Sequence, residues 1–155
     1  MGEKLGRRIQ KRTMDSSPIE SVGAFIYCVK TRRYLFLLRN NTKYAGTWGV
    51  VGGKIEPNEQ IIESLSREIE EELGSSVHGA KIIPIEKFTS DNGNFTYHTF
   101  ISPVDSEFVP KLNDEHRGYC WVSLEDHPKP LHPGVWRTIN FSAVANKIKT
   151  LESIL

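Results

Sequence analysis

The sequence predicts an α/β domain, a mixed β-sheet with helices on its faces. Three observations predict it. Runs of β-forming residues dominate the chain from Ile19 to Val122, one strongly periodic helical segment interrupts them, and an amphipathic helix closes the sequence. The chain has 155 residues, enough for one domain with a core that needs no covalent staples.

Each element has its own signal. Ser21–Lys30 is rich in β-formers with apolar residues on both faces, which reads as a buried strand, and Thr31-Arg32-Arg33 is a polar turn. Tyr34–Leu38 is a second strand ending at Arg39, and Asn40–Gly46 is a loop. Trp48–Val51 is a short apolar segment running into Gly52-Gly53. Asn58 is a good helix N-cap, the helix is expected to run to Leu73, and Gly74 suits its C-terminal cap. Lys81–Ser90 and Phe95–Ile101 read as strands joined by an Asn92-Gly93 hairpin turn, and Gly118–Val122 as another strand. After the proline-rich stretch Pro128–Pro133, the residues Val135, Ile139, Val144, Ile148, Leu151 and Leu155 keep the spacing of one C-terminal helix. Residues 1–18 form a polar, basic arm, and 19–155 are expected to form the single domain.

Composition excludes several classes. Apolar residues make up 38%, charged residues 25%, and the formal net charge is +1. That balance gives no global case for binding nucleic acid or a membrane, so affinity for an anion must come from a local site. No apolar run approaches the length of a membrane span. No apolar signal core follows the basic N-terminal residues, and Cys28 and Cys120 each sit in an apolar run as small buried hydrophobes. A reducing, cytoplasmic setting is the expectation.

The internal helix breaks the rules of helix stability. It carries Glu59, Glu63, Glu68, Glu70, Glu71 and Glu72, four of them in its last turns. A helix C-terminus prefers Lys or Arg, and like charges four residues apart repel. With about 100° per residue, taking Glu68 as zero, Glu72 lies near 40° and Glu71 near 300°, whereas Glu70 points to the far side near 200°. Ile62, Leu65, Ile69 and Leu73 form the apolar stripe beside this cluster. Clustered carboxylates need cations, and oxygen-only ligands suit hard ions such as Mg²⁺, with Mn²⁺ as a substitute. Arg67 stands one turn from Glu71, where it can pair with a carboxylate and fix its rotamer.

The whole segment reads Gly53, five residues, Glu59, seven residues, Arg67-Glu68-Ile69, one residue, Glu71-Glu72, one residue, Gly74. It resembles the box of the Nudix (MutT-like) hydrolases. That resemblance implies the Nudix α/β/α sandwich, a mixed sheet flanked by the box helix and a C-terminal helix. It implies metal ligation by Glu68, Glu71, Glu72 and the carbonyl of Gly53, and structural roles for Glu59, Arg67 and Gly74. Arg39 stands where members often hold substrate phosphate. Glu115 stands where members place one more metal ligand or base, with Asp114 as a rival. The catalytic candidates are therefore Glu68, Glu72 and Glu115, with Glu68 or Glu115 as general base. Two positions depart from the pattern, Ser75 after the last glycine and Val51 where many members have proline.

The activity implied is metal-dependent cleavage of a phosphoanhydride bond in a nucleoside diphosphate linked to another group, such as ADP-ribose, FAD, a dinucleoside polyphosphate or a sugar nucleotide. The alternatives are a (d)NTP pyrophosphohydrolase releasing pyrophosphate, and a non-catalytic nucleotide- or RNA-binding module on the same fold. The marker proline of ADP-ribose hydrolases and the marker tyrosine of dinucleoside polyphosphate hydrolases are not at their usual spacings. Phe88, Phe95, Tyr97, Phe100 and Tyr119 are candidates for stacking on a base, although strand aromatics usually belong to the core. His132 reads first as a helix-start residue. The partner expected is a small nucleotide derivative rather than a membrane or nucleic acid, and a homodimer is compatible with the sequence.

Overall fold

The computed structural model describes residues 17–40, 43–74 and 81–155. The basic arm up to residue 16, and Ser75, fall outside them. The elements in chain order are β1 (Ile19–Cys28), β2 (Arg33–Arg39), β3 (Trp48–Gly49), β4 (Val51–Lys54), α1 (Ile61–Leu73), β5 (Ile83–Thr89), β6 (Phe95–Val104), β7 (His116–Val122), α2 (Pro133–Asn140) and α3 (Ser142–Ile154). They build one mixed seven-stranded sheet with the central order β3-β2-β1-β6-β5, to which β4 adds beside β1 and β7 beside β2. β1 runs parallel to β6 over its full length, and the other pairings are antiparallel.

Strand alternation divides the core into two layers. On one face Val22, Ala24, Ile26, Leu35 and Leu37 pack with Leu65, Ile69 and Leu73 of α1. On the other, Phe25, Tyr27, Tyr34, Phe36 and Ile101 pack with Val135 of α2 and Val144 and Ile148 of α3. The protein is thus an α/β/α sandwich. Among the described residues, no helix is long and apolar enough to cross a membrane.

Four sequence expectations are corrected. The internal helix begins at Ile61 with Gln60 as N-cap, because Glu63 accepts a hydrogen bond from Gln60 N at 2.8 Å. Asn58 instead sits in the preceding turn with a positive φ of 68°. Ile62 is 48% exposed, so the buried stripe narrows to Leu65, Ile69 and Leu73. The segment Trp48–Val51 divides into two strands with different partners, β3 on β2 and β4 on β1. The C-terminal helix is two helices, broken at Phe141, whose extended backbone (ψ 116°) ends one and starts the next.

Candidate active site

Antiparallel pairing of β4 with β1 sets Gly52 opposite Gly23 and Gly53 opposite Val22. The chain leaves β4 and turns back into α1, so the helix lies across this pair of glycines. Gly53 is glycine for lack of space. A Cβ there would collide with Oε2 of Glu68 and lie 2.6 Å from its Cδ. The backbone of Gly53 and the carboxyl of Glu68 are therefore in direct contact.

Glu68 and Glu72 are the buried members of the acidic run, 8% and 2% exposed. Their carboxyls hydrogen-bond to each other, and the Gly52 N–H donates to Oε1 of Glu72 at 3.4 Å. Burial raises the pKa of both. For Glu72 burial, and then the charge and hydrogen bond of Glu68, push it up to about 9. The pair holds a proton that either carboxyl alone would shed in water. Glu71 points outward, its side chain 52% exposed and 3.4 Å from Arg67. Glu70 is exposed.

Arg67 organises the entry to the helix. Its Nε donates to Glu59 at 2.7 Å, Nη2 donates to the Lys54 carbonyl at 3.2 Å, and Nη1 lies 3.4 Å from Glu68. Glu59 also accepts from the Glu56 N–H at 2.9 Å. Those two donors hold the Glu59 carboxyl well below the usual carboxylate range, at about 2. The loop 54–59 is thereby clamped to the middle of α1.

The far end of α1 is closed by another loop. Lys111 N donates to the Leu73 carbonyl at 3.0 Å and Asn113 Nδ2 to the Glu71 carbonyl at 3.1 Å. Gly74, at φ 85°, turns the chain out of the helix. Asn113 Oδ1 accepts from Glu115 N at 3.0 Å, and Asn40 N donates to the Glu115 carbonyl at 2.9 Å. This stitching sets the 111–115 loop between α1 and the end of β2. The charge of Glu115 is among those that raise both Glu68 and Glu72; Asp114 is not. Arg39, at the end of β2, donates from Nε and Nη2 to the Lys43 carbonyl.

The chemistry of this set fits a hard divalent cation. Two buried carboxyls sharing a proton beside a backbone glycine, with two further glutamates in their field, are short of positive charge. Among the described residues no three or more His, Cys, Asp or Glu side chains are already drawn together into a metal cage. The structure brings Glu68, Glu72 and Gly53 into contact, while Glu71 is turned toward Arg67 and Glu115 is exposed at the loop.

Three further side chains stand in the field of Arg39. Tyr97 of β6 feels the charges of Glu72, Arg39 and Glu68. His116 is buried with an unpartnered Nδ1, and burial together with Arg39 pushes its pKa down to about 4. His132 caps α2, its Nδ1 accepting from Gly134 N at 2.9 Å, while its ring meets Tyr44 edge-on at 4.8 Å. The cap role agrees with the sequence reading of His132 as a helix-start residue.

Comparison with known proteins decides the family. The NUDIX domain family matches residues 18–141. This chain belongs to the NUDIX family. The Nudix match is supported by a relative, nucleoside triphosphatase NudI of Escherichia coli, 30% identical over 129 residues that span 76% of this chain and 86% of that protein. The crystal structure of a MutT protein from Methanosarcina mazei superposes with a TM-score of 0.66 at 28% identity, covering 86% of this chain and 97% of the other. The NUDIX domain of Shewanella oneidensis NrtR, complexed with ADP ribose, shares the fold with a TM-score of 0.68 at 16% identity, over 85% and 89% of the two chains. The chain is a Nudix pyrophosphohydrolase, of a family whose members generally need a divalent metal.

Proposed function

We propose that this Nudix enzyme hydrolyses a phosphoanhydride bond of a nucleotide, with Mg²⁺ as the working ion and Mn²⁺ able to replace it. The observation that carries the reading is the buried Glu68–Glu72 pair against Gly53, a site that holds excess negative charge ready for a cation. Glu68, Glu72 and the Gly53 carbonyl would hold the ion, with Glu71 and Glu115 completing its ligands. When bound, a divalent cation lowers the pKa of water and neutralises phosphate oxygens. Glu68 or Glu115 accepts the proton as water oxygen bonds to phosphorus. The P–O anhydride bond breaks and its electron pair leaves with the departing phosphate. Arg39 offers a guanidinium to a phosphate oxygen. Glu59, Arg67 and Gly74 hold the loop and helix in place.

Two substrate classes remain in play, a nucleoside diphosphate linked to another group and a nucleoside triphosphate. The likeness to the nucleoside triphosphatase NudI of Escherichia coli supports the triphosphate reading, for which the expected products are pyrophosphate and a nucleoside monophosphate. A screen of nucleoside triphosphates, ADP-ribose, FAD, dinucleoside polyphosphates and sugar nucleotides with Mg²⁺ or Mn²⁺, with products identified by mass, tests both. Pyrophosphate from a triphosphate supports one class, and two monophosphates from a linked diphosphate support the other. Nucleotide binding without metal-dependent product would refute the hydrolytic reading.

A further inference from the structure

Tyr97 lies on the sheet face opposite α1. Ile101, of the same parity on β6, packs with α2 and α3, whereas Phe100 packs toward α1. Gly23 lies on the same face as Tyr97, because its neighbours Val22 and Ala24 both point toward α1. The phenol crosses β1 at Gly23. A Cβ on Gly23 would collide with the Tyr97 hydroxyl and lie 3.0 Å from its Cζ. Gly23 pairs with Gly52, whose N–H donates to Glu72. The hydroxyl thus lies over a strip of sheet without side chains, one strand from the Gly52 N–H that Glu72 accepts.

Its surroundings leave it open to an acceptor brought by a ligand. No hydrogen bond from the Tyr97 hydroxyl to a described residue is present, and it is not among the sealed polar atoms, which are Tyr27 Oη and His116 Nδ1. The charges of Glu72, Arg39 and Glu68 all reach it, and burial keeps it protonated. A phosphate chain that runs from a cation on the glutamates to the Arg39 guanidinium spans groups whose charges all reach this hydroxyl.

Resting on the hydrolytic reading above, we propose that Tyr97 is a substrate-binding residue whose hydroxyl donates a hydrogen bond to a non-bridging phosphate oxygen between the Glu68–Glu72 pair and Arg39. A hydrogen bond to a charged oxygen is the stronger kind, so Tyr97→Phe raises the Kd by about 10-fold or more. The assay titrates an imido-bridged nucleoside triphosphate calorimetrically into wild-type protein and Tyr97→Phe, in ribo and 2′-deoxy forms, with Mg²⁺ present. The expected result is an equal loss on both forms, with the Mg²⁺-induced rise in Tm unchanged. An unchanged Kd overturns the assignment. So does a loss confined to the ribo form, which would mark a sugar contact, or a loss accompanied by a lost metal response, which would mark a structural role. Hydrolysis of the parent nucleotide is measured alongside. Absence of wild-type turnover overturns the hydrolytic reading itself, whereas wild-type turnover with an unaffected Tyr97→Phe overturns this assignment alone.

Discussion

Replacing Glu72 by Gln separates stability from catalysis. Glu72 is 2% exposed and its pKa is raised to about 9. A raised folded-state pKa contributes stability below the unfolded value of 4.5, and that stability is lost as pH rises toward about 9. At pH about 7.5 the loss amounts to three pKa units at most, or about 4 kcal/mol. Glutamine keeps the acceptor for the Gly52 N–H and has no charge to lose, but it buries an amide whose imperfect pairing costs about 1–3 kcal/mol. The net gain is about 2 kcal/mol, worth about 4–8 °C in Tm for a chain of this size. The assay is thermal unfolding in EDTA across pH. Glu72→Gln melts above wild type at pH about 7.5; the gain shrinks as pH falls and reverses below about 4.5, where both states of the wild type hold the proton and only the amide cost remains. Added Mg²⁺ raises the Tm of wild type and not of the variant, and turnover falls at least about 100-fold. A variant with an intact circular-dichroism spectrum that melts below wild type in EDTA at pH about 7.5 would refute the burial argument. Near-normal turnover would refute the metal-ligand role.

Other perturbations isolate the parts of the site. Gly53→Ala forces the Glu68 carboxyl to move, and because that is the end of a flexible side chain the protein still folds; metal-induced stabilisation and turnover are both expected to drop by about 10-fold or more. Glu59→Gln loses the clamp on Arg67. Because the Glu59 pKa is lowered to about 2, its contribution is present above 4.5 and fades as pH falls, so wild type and variant should differ in Tm at neutral pH and converge on acidification. Arg39→Ala is expected to raise KM about 10-fold, with the Mg²⁺ response of Tm unchanged, in steady-state kinetics on the best substrate of the screen.

Much of the site was legible because helical geometry is regular. The angles that place Glu68 and Glu72 beside the apolar stripe and Glu70 opposite it match their burial. Glu71 shares their arc by angle, yet its side chain turns to Arg67, a choice made by rotamer and partner rather than by position on the helix. The helix start was misread for a similar reason. Asn58 has the chemistry of a cap, but Glu59 is taken up by Arg67 and the Glu56 N–H, so the chain is still in its turn there and Gln60 caps instead. Tyr97 was readable only as one of five aromatics that could stack on a base, not as a hydroxyl donor. Alternation marks it as core, and only the β1–β6 register sets Gly23 where the hydroxyl can lie.

The acidic end of α1 raises the question of how the fold tolerates it. A stability-driven solution would place Lys or Arg in the last turn, and none is there. The exposed carbonyls are met instead by neutral donors, Lys111 N on Leu73 and Asn113 Nδ2 on Glu71. Such donors satisfy hydrogen bonding without cancelling the carboxylate charge. The nearest cation, Arg67, gives its shortest bond to Glu59 at 2.7 Å and stays 3.4 Å from Glu68 and Glu71. A lysine at the helix end would neutralise the glutamates permanently and compete with any metal for them. Closing the helix with amides leaves the charge of Glu68 and Glu72 to be balanced by a proton or, on the function proposed above, by a divalent ion.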